Sequence, residues 1–233
     1  MATERVSRAF GRVVGLAVSD DAAARTELPF WWHDEPGLTP EAHWTLSGDG
    51  TAVIGELELW VAEHARTHTF VHAGVVGIGG AAIVLPGRTF SGKSTLVAAL
   101  LALGAEYGSD EYALIDPQGL VHAYPRPLSL RSGGGVVRLP VAAATMTACP
   151  AALVAVLTYD PAAAPEAGFT PAPLTRAEAV LRLLDNTVSA ASRPAPAIAA
   201  LDALTAPARC ISGARAEAAV TATALVDLVA TGS

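Results

Sequence analysis

Runs of apolar residues bounded by turn residues divide most of this chain into predicted strands and helices. The clearest pair is Val71–Ile78 and Ala81–Leu85, two apolar runs on either side of Gly79-Gly80, which predicts a β-hairpin. The other runs typical of strands are Arg12–Ser19, Tyr107–Glu111, Tyr112–Ile115, Leu120–Tyr124 and Ala152–Tyr159. The centre of the chain is therefore predicted to form a sheet.

Apolar positions at helical spacing occur before, within and after this central region. The segments concerned are Glu56–Thr67, Ser94–Leu103, Thr175–Ser189, Ala197–Leu204 and Ala214–Ala230. Thr175 and Glu178 have the spacing of a capping box, which predicts where the third helix begins. Mixed strands followed by helices predict an α/β domain with a mixed β-sheet and C-terminal helices.

We divide the chain into an N-terminal accessory segment, residues 1–55, and a main domain, residues 56–233. The accessory segment is predicted to be small and β-rich. Its tract Phe30-Trp31-Trp32-His33 concentrates aromatic rings, which either line a binding groove or form a small core of their own.

Composition excludes several classes of protein. The chain has 233 residues, of which 52% are hydrophobic and 16% charged, so a sizeable core is expected and wholesale disorder is excluded. Fifteen basic against 22 acidic residues give a net charge of −7, so the chain lacks the basic surface of a nucleic-acid or membrane binder. Two cysteines are too few for a disulfide framework, which suits the cytoplasm.

One stretch, residues 139–159, carries no charge and is long enough to span a bilayer. Pro140 and Pro150 interrupt it, however, and much of the rest is weakly hydrophobic alanine. We therefore predict a buried helix or turn followed by a core strand, and no membrane segment.

A phosphate-binding motif lies between the predicted strand Ala81–Leu85 and the helix after it. The residues Gly87-Arg88-Thr89-Phe90-Ser91-Gly92-Lys93-Ser94-Thr95 match G-x-x-x-x-G-K-[ST], the Walker A motif or P-loop. Glycines allow the tight backbone turn that points consecutive N–H groups into one concavity, and the helix adds the positive end of its dipole. Lys93 is predicted to contact the β- and γ-phosphates of ATP, and the Ser94 hydroxyl to bind Mg²⁺.

The lysine content strengthens this assignment. Lys93 is the only lysine of the chain, whereas the other fourteen basic residues are arginine. An ammonium is a compact point charge that suits a phosphate cradle better than a planar guanidinium.

Acidic residues follow the predicted P-loop helix at Ser109-Asp110-Glu111. They come at the end of a short predicted strand, where the γ-phosphate lies in a nucleotide-binding α/β fold. One acid there can hold Mg²⁺ while the other accepts a hydroxyl proton. Asp116 also follows an apolar run, but Pro117-Gln118-Gly119 after it favours a turn residue over a metal ligand.

The order of these segments resembles the catalytic domain of HPr kinase/phosphorylase. The residues concerned are Phe70-Val71-His72-Ala73-Gly74, Leu85-Pro86-Gly87, Gly92-Lys93-Ser94-Thr95 and Gly108-Ser109-Asp110-Glu111. The chain is more similar to the shorter HPr kinase-like proteins, some of which accompany peptide natural-product pathways, and Tyr124–Arg131 also looks typical of them. The resemblance covers roughly residues 55–205.

The resemblance implies a P-loop fold of the HPr kinase and phosphoenolpyruvate carboxykinase type and ATP-dependent phosphorylation of a serine hydroxyl. His72 matches the active-site histidine of the family, Asp110 its general base, and Glu111 the second acid of an Asp-Asp pair, expected to bind the metal. Glutamate at that place departs from the family pattern. The later glycine-rich segment associated with phosphorolysis has no counterpart, so we expect a kinase without efficient reverse activity.

We therefore expect a cytoplasmic kinase that uses Mg²⁺ and ATP to phosphorylate a hydroxyl of a peptide, protein or small molecule. Arg126 and Arg131 either bind carboxylate or phosphate of that substrate or are solvated charges at a strand edge. The alternatives are a nucleotide-binding accessory protein and an NTPase without an acceptor. By analogy with the full-length HPr kinases, we also expect a homo-oligomer.

Overall fold

The computed structural model describes residues 3–19, 27–47, 50–88, 91–132, 135–140, 146–160, 169 and 171–231. The chain falls into two compact units, Met1–His68 and Thr69–Ser233. The expected boundary between residues 55 and 56 lies inside a helix, α1 (Thr51–His64), which belongs entirely to the first unit.

The first unit is a three-stranded sheet with one helix. Its strands are β1 (Thr3–Ala9), β2 (Arg12–Val18) and β3 (Ala42–Leu46), with β2 in the middle, antiparallel to β1 and parallel to β3. The predicted strand at residues 12–19 is confirmed, whereas the helix predicted at Glu56 begins five residues earlier, at Thr51. Trp31 and Trp32 are buried, whereas Phe30 and His33 are exposed, so the two tryptophans of the aromatic tract belong to the core of this unit.

The second unit contains ten strands and four helices among the described residues. In chain order they are β4 (Thr69–Ile78), β5 (Ala81–Pro86), α2 (Lys93–Ala102), β6 (Glu106–Ser109), β7 (Tyr112–Ile115), β8 (Val121–His122), β9 (Leu128–Ser132), β10 (Gly135–Leu139), β11 (Ala151–Tyr159), β12 (Ala172–Pro173), α3 (Arg176–Leu184), α4 (Pro194–Thr205), β13 (Arg209–Arg215) and α5 (Ala218–Ala230). The main sheet has the order β12-β13-β11-β5-β4-β7-β8, and β6 also pairs with β4. Strands β9 and β10 form a separate antiparallel pair.

Strand direction within the main sheet is mixed. Strand β5 is antiparallel to β4 and parallel to β11, which is in turn parallel to β13. Strand β6 is antiparallel to β4, so it has the same direction as β5. The carboxyl ends of β5, β6, β11 and β13 therefore lie along one edge of the sheet.

Helices cover both faces of this sheet. On one face, buried residues of α3 and α4, among them Leu183 and Leu201, pack with the strands in one core cluster. On the other face, α2 and α5 contribute Leu100 and Leu225 to a second cluster. The protein is therefore a mixed α/β protein, as the order of strands and helices predicted.

Local signals in the sequence explain the elements that were predicted well. The β4–β5 hairpin is confirmed, and Gly79 and Gly80 both have the positive φ that its turn requires. Helix α3 begins at the predicted capping box, where Thr175 accepts a hydrogen bond from the Glu178 N–H and Glu178 accepts one from the Thr175 N–H.

Three further element predictions are wrong in extent. Strand β8 has only two residues, and the helix predicted through Ser189 ends at Leu184. The helix predicted from Ala214 begins at Ala218, because Arg209–Arg215 is a strand that pairs along its whole length with β11. In the described part of the chain, no helix is long and apolar enough to cross a membrane, and the second half of the uncharged stretch 139–159 is β11.

Candidate active site

The edge of the sheet formed by the carboxyl ends of β5 and β6 brings the predicted site residues together. The loop after β5 leads into α2, while Asp110 and Glu111 follow β6. Strand β4 runs the opposite way, so its first residues reach the same edge, and His72 accepts a hydrogen bond from the Gly87 N–H through its carbonyl oxygen. Residues far apart in the sequence are thus close together because of the strand order.

The glycine loop, residues 87–92, connects β5 to α2; its residues Thr89 and Phe90 lie outside the described part of the chain. Position 87 requires glycine for steric reasons, because a Cβ there would lie 2.6 Å from Ser91 Oγ. Gly92 is required by conformation, since its φ of 80° is in the left-handed region that favours glycine. Among the described residues no group forms a hydrogen bond with Ser91 Oγ, a buried hydroxyl oxygen.

Lys93 is the first residue of α2, and its ammonium turns back over the glycine loop. Lys93 Nζ donates hydrogen bonds to the carbonyl oxygens of Gly87, at 2.8 Å, and of Arg88, at 2.9 Å. Burial lowers the pKa of Lys93, and the carboxylates of Glu111 and Asp110 oppose that shift. Because Lys93 begins α2, the residue that provides the ammonium is also part of the first helical turn, whose N–H groups have no partner within the helix; an ammonium and such N–H groups together favour anion binding.

Ser94 links the start of α2 to the acids after β6. Its hydroxyl donates a hydrogen bond of 2.8 Å to Asp110 Oδ2. The other oxygen, Oδ1, lies 3.1 Å from the Tyr107 hydroxyl, and Asp110 as a whole is 6% exposed. Burial raises the pKa of Tyr107, and the Asp110 carboxylate raises it further, so Tyr107 remains a hydroxyl donor.

Glu111 has a different environment from Asp110. Its side chain is 41% exposed, and Glu111 Oε1 lies 3.7 Å from His72 Nδ1. Burial lowers the pKa of His72; the Glu111 carboxylate opposes this shift and the Lys93 ammonium adds to it. Glu111 is therefore the acid of this pair that solvent and an incoming molecule can reach.

Strand β9 lies beside Asp110. Arg126 precedes this strand, and Arg131 belongs to it. The Ser129 N–H is 3.4 Å from Asp110 Oδ2, and the Arg126 carbonyl oxygen lies 2.9 Å from the Tyr107 hydroxyl, whose one hydrogen is shared between this oxygen and Asp110 Oδ1. Arg126 is partly buried, and its charge acts on Tyr107. Arg131 lies in β9, and its side chain is outside the described part of the structure.

Sequence reasoning missed two residues of this site. Tyr107, in β6, contacts Asp110 just after the end of that strand, and the spacing of three residues gave no sign of the contact. Arg215 lies at the carboxyl end of β13 and is 4% exposed. Its Nη2 donates to the carbonyl oxygens of Ser91 and Gly92 in the glycine loop, at 3.0 and 3.2 Å.

The oxygen atoms at this site fit a magnesium ion. Mg²⁺ prefers hard oxygen ligands and usually takes one or two carboxylates together with substrate phosphates. Ser94 Oγ and Asp110 Oδ2, in hydrogen-bond contact, provide a hydroxyl and a carboxylate of that kind. Among the described residues, no three acidic, histidine or cysteine side chains gather into a metal site. Asp116, the alternative metal ligand, instead accepts hydrogen bonds from the N–H groups of its own turn.

Comparison with known proteins adds no family assignment. No protein-family model matches the chain, and no curated protein matches its sequence.

Proposed function

We propose that this protein is a kinase that transfers the γ-phosphate of ATP, bound with Mg²⁺, to the hydroxyl group of an acceptor. The observation that carries the proposal is the hydrogen bond between Ser94 and Asp110. It joins the end of a P-loop-like motif to the acids after β6 in a single site, which a P-loop kinase requires.

Phosphate binding would use the glycine loop and the start of α2. The N–H groups of the loop and the Lys93 ammonium provide positive charge on one side of the site. Lys93 now donates to two loop carbonyls, and phosphate oxygens of ATP would replace these acceptors. The buried hydroxyl of Ser91, which has no partner among the described residues, is a further donor in the same loop.

Metal binding and proton transfer are divided between the two acids in our proposal. Asp110 is buried and both of its oxygens accept hydrogen bonds, so it is better suited to hold Mg²⁺ with Ser94 than to reach an acceptor. Glu111 is the exposed acid, so we assign the general base to it. This division reverses the roles of Asp110 and Glu111 that the family resemblance implies. The bound Mg²⁺ would supply charge neutralisation on the phosphates.

In the transfer step, Glu111 removes the proton of the acceptor hydroxyl, and the hydroxyl oxygen of the acceptor forms a bond to the γ-phosphorus. The bond between that phosphorus and the β,γ-bridging oxygen breaks, and ADP leaves. His72, with Nδ1 3.7 Å from Glu111 Oε1, would position this carboxylate as a neutral imidazole, since burial lowers the pKa of His72. Arg126, whose charge acts on Tyr107, is our candidate for contact with the acceptor.

The proposal can be tested with γ-labelled ATP, Mg²⁺ and fractionated extract of the host, following where the label goes. We expect label on a peptide, protein or metabolite with the parent chain. Lys93→Ala should abolish the transfer, while Asp110→Asn and Glu111→Gln should each lower the rate by about a hundredfold or more. Glu106→Gln is the matched control, because Glu106 is an exposed acid at the opposite end of β6.

The two acids can then be separated by their metal dependence. Asp110→Asn should raise the Mg²⁺ concentration needed for half-maximal rate, whereas Glu111→Gln should lower the maximal rate at saturating Mg²⁺. Release of free phosphate alone would support an NTPase instead, and nucleotide binding without turnover an accessory protein. Full transfer by Lys93→Ala would refute a phosphate-binding role for the glycine loop.

A further inference from the structure

Arg215 carries a positive charge into the interior of the second unit. The residue is 4% exposed, and none of the ion pairs formed by the described residues includes it. Its guanidinium contacts backbone carbonyls and lies 5.1 Å from the ring centre of Tyr159, the last residue of β11. Burying a guanidinium that forms no ion pair is costly, and here the hydrogen bonds to three carbonyl oxygens and the charge of nearby Glu217 offset part of that cost.

The contacts of Arg215 fix two consecutive peptide planes of the glycine loop. Nη2 donates to the carbonyl oxygens of Ser91 and Gly92. In a planar trans peptide the C=O and the following N–H point in opposite directions, and the described residues contain no cis peptide bond. Carbonyls held toward Arg215 therefore turn the N–H groups of Gly92 and Lys93 away from it.

The N–H groups of Gly92 and Lys93 therefore point toward the space in front of the first turn of α2. They are the first amide donors of the helix end, and Lys93 itself provides the ammonium there. Arg215 and Lys93 also line one small cavity under the loop. The buried Arg215 guanidinium thus places a positive charge on the carbonyl side of the two peptides whose N–H groups are these donors.

We propose that Arg215 is a positioning residue that shapes the phosphate site: it holds the glycine loop with the amides of Gly92 and Lys93 aimed at the polyphosphate of the nucleotide. This inference rests on the proposed function. It concerns the polyphosphate and not the nucleoside, because the contacts of Arg215 within the candidate site are with the backbone of the glycine loop.

The test compares two ligands, ATP with Mg²⁺ and inorganic tripolyphosphate with Mg²⁺, by titration calorimetry on the full chain. Arg215→Gln should weaken binding of both ligands by about ten- to a hundredfold, the range expected when a charged group loses its hydrogen bonds. Arg215→Lys retains the charge but not the fork that reaches two carbonyls, so it should recover only part of the affinity. Arg209→Gln is the matched control, an exposed arginine at the other end of β13.

Melting temperatures of all variants separate a local effect from loss of fold. If Arg215→Gln and Arg215→Lys bind both ligands as tightly as the parent, the inference is wrong. It is also wrong if Arg209→Gln weakens binding equally, or if only ATP and not tripolyphosphate is affected. If the parent chain binds neither ligand, the proposed function itself fails, a result distinct from any of these.

Discussion

At the scale of single residues, both the backbone conformation of Gly92 and its lack of a side chain matter for the candidate site. It precedes α2 with a φ of 80°, and a Cβ at this position would overlap the Arg215 guanidinium. Gly104, just past the other end of α2, has a φ of 90° and open space around it. The two glycines therefore share the conformational requirement but not the steric one.

We predict that Gly104→Ala destabilises the protein by about 1 kcal/mol through the positive φ, and that Gly92→Ala destabilises it by more, because its methyl group also displaces the buried Arg215 from its hydrogen bonds. Only Gly92→Ala should weaken MgATP binding, by about tenfold or more, since the added methyl group displaces Arg215 from the loop carbonyls. Urea unfolding gives the stability and calorimetry the affinity. Equal loss of affinity in both variants would contradict this steric explanation.

Residue types at fixed spacing were enough to predict part of this site. The Walker A pattern pointed to Lys93 and Ser94, and the acids after the next strand pointed to Asp110 and Glu111. The contact of Ser94 with Asp110 depends on β6 lying beside β4, which no local pattern shows. Arg215 was missed because it fell in the helix predicted at Ala214–Ala230, whereas it ends strand β13.

At the scale of elements, the strands with the strongest local signal were predicted best. The β4–β5 hairpin combines long apolar runs with a Gly-Gly turn, so the pattern alone determines it. Strand β13, in contrast, has the sequence RCISGAR, with arginine at both ends and no alternation. It forms a strand because it pairs in parallel with β11, and such long-range pairing leaves no periodic signal in the sequence.

The turn between β7 and β8 offers a test at this scale. Asp116 Oδ1 accepts from the N–H groups of Gln118 and Leu120, at 2.9 and 3.0 Å, and Oδ2 lies 2.8 Å from His122 Nε2. Burial alone would raise the pKa of Asp116, but the hydrogen bonds from His122 and the two N–H groups outweigh it, so the pKa is lowered. The ionised carboxylate therefore stabilises the folded turn.

We predict that Asp116→Ala lowers the free energy of unfolding at pH 7 by about 2 kcal/mol, and Asp116→Asn by about 1 kcal/mol because the amide oxygen still accepts from the turn. Since the folded-state pKa lies below the ordinary value of 3.8, the contribution is complete above about pH 4 to 5 and disappears as the pH falls through the lower, folded-state value. Urea unfolding at pH 7, 5 and 3 measures it. A difference between parent and Asp116→Asn that stays constant down to pH 3 would contradict this account.

At the scale of the whole molecule, the chain divides into two units with separate cores. The two clusters of buried residues on either face of the main sheet consist entirely of residues after Thr69. The sequence indicated a small β-rich N-terminal part, but not that α1 belongs to it, because the periodicity of a helix does not show which core the helix covers.

All described residues of the candidate site, from His72 to Arg215, belong to the second unit. Because this unit also has its own core, we predict that a chain beginning at residue 66 unfolds cooperatively and binds MgATP within about threefold of the affinity of the full chain, a difference of less than 1 kcal/mol. Thermal unfolding followed by circular dichroism and calorimetric titration of both chains provide the measurements.

The same pair of chains separates nucleotide binding from recognition of the acceptor. If the shorter chain binds MgATP normally yet no longer phosphorylates the acceptor found with the full chain, the first unit contributes to acceptor binding. Loss of MgATP binding in a shorter chain that still unfolds cooperatively would instead mean that residues before 66 take part in the nucleotide site. In that case the prediction would be wrong, and the contacts of Lys93, Ser94 and Arg215 would describe only part of that site.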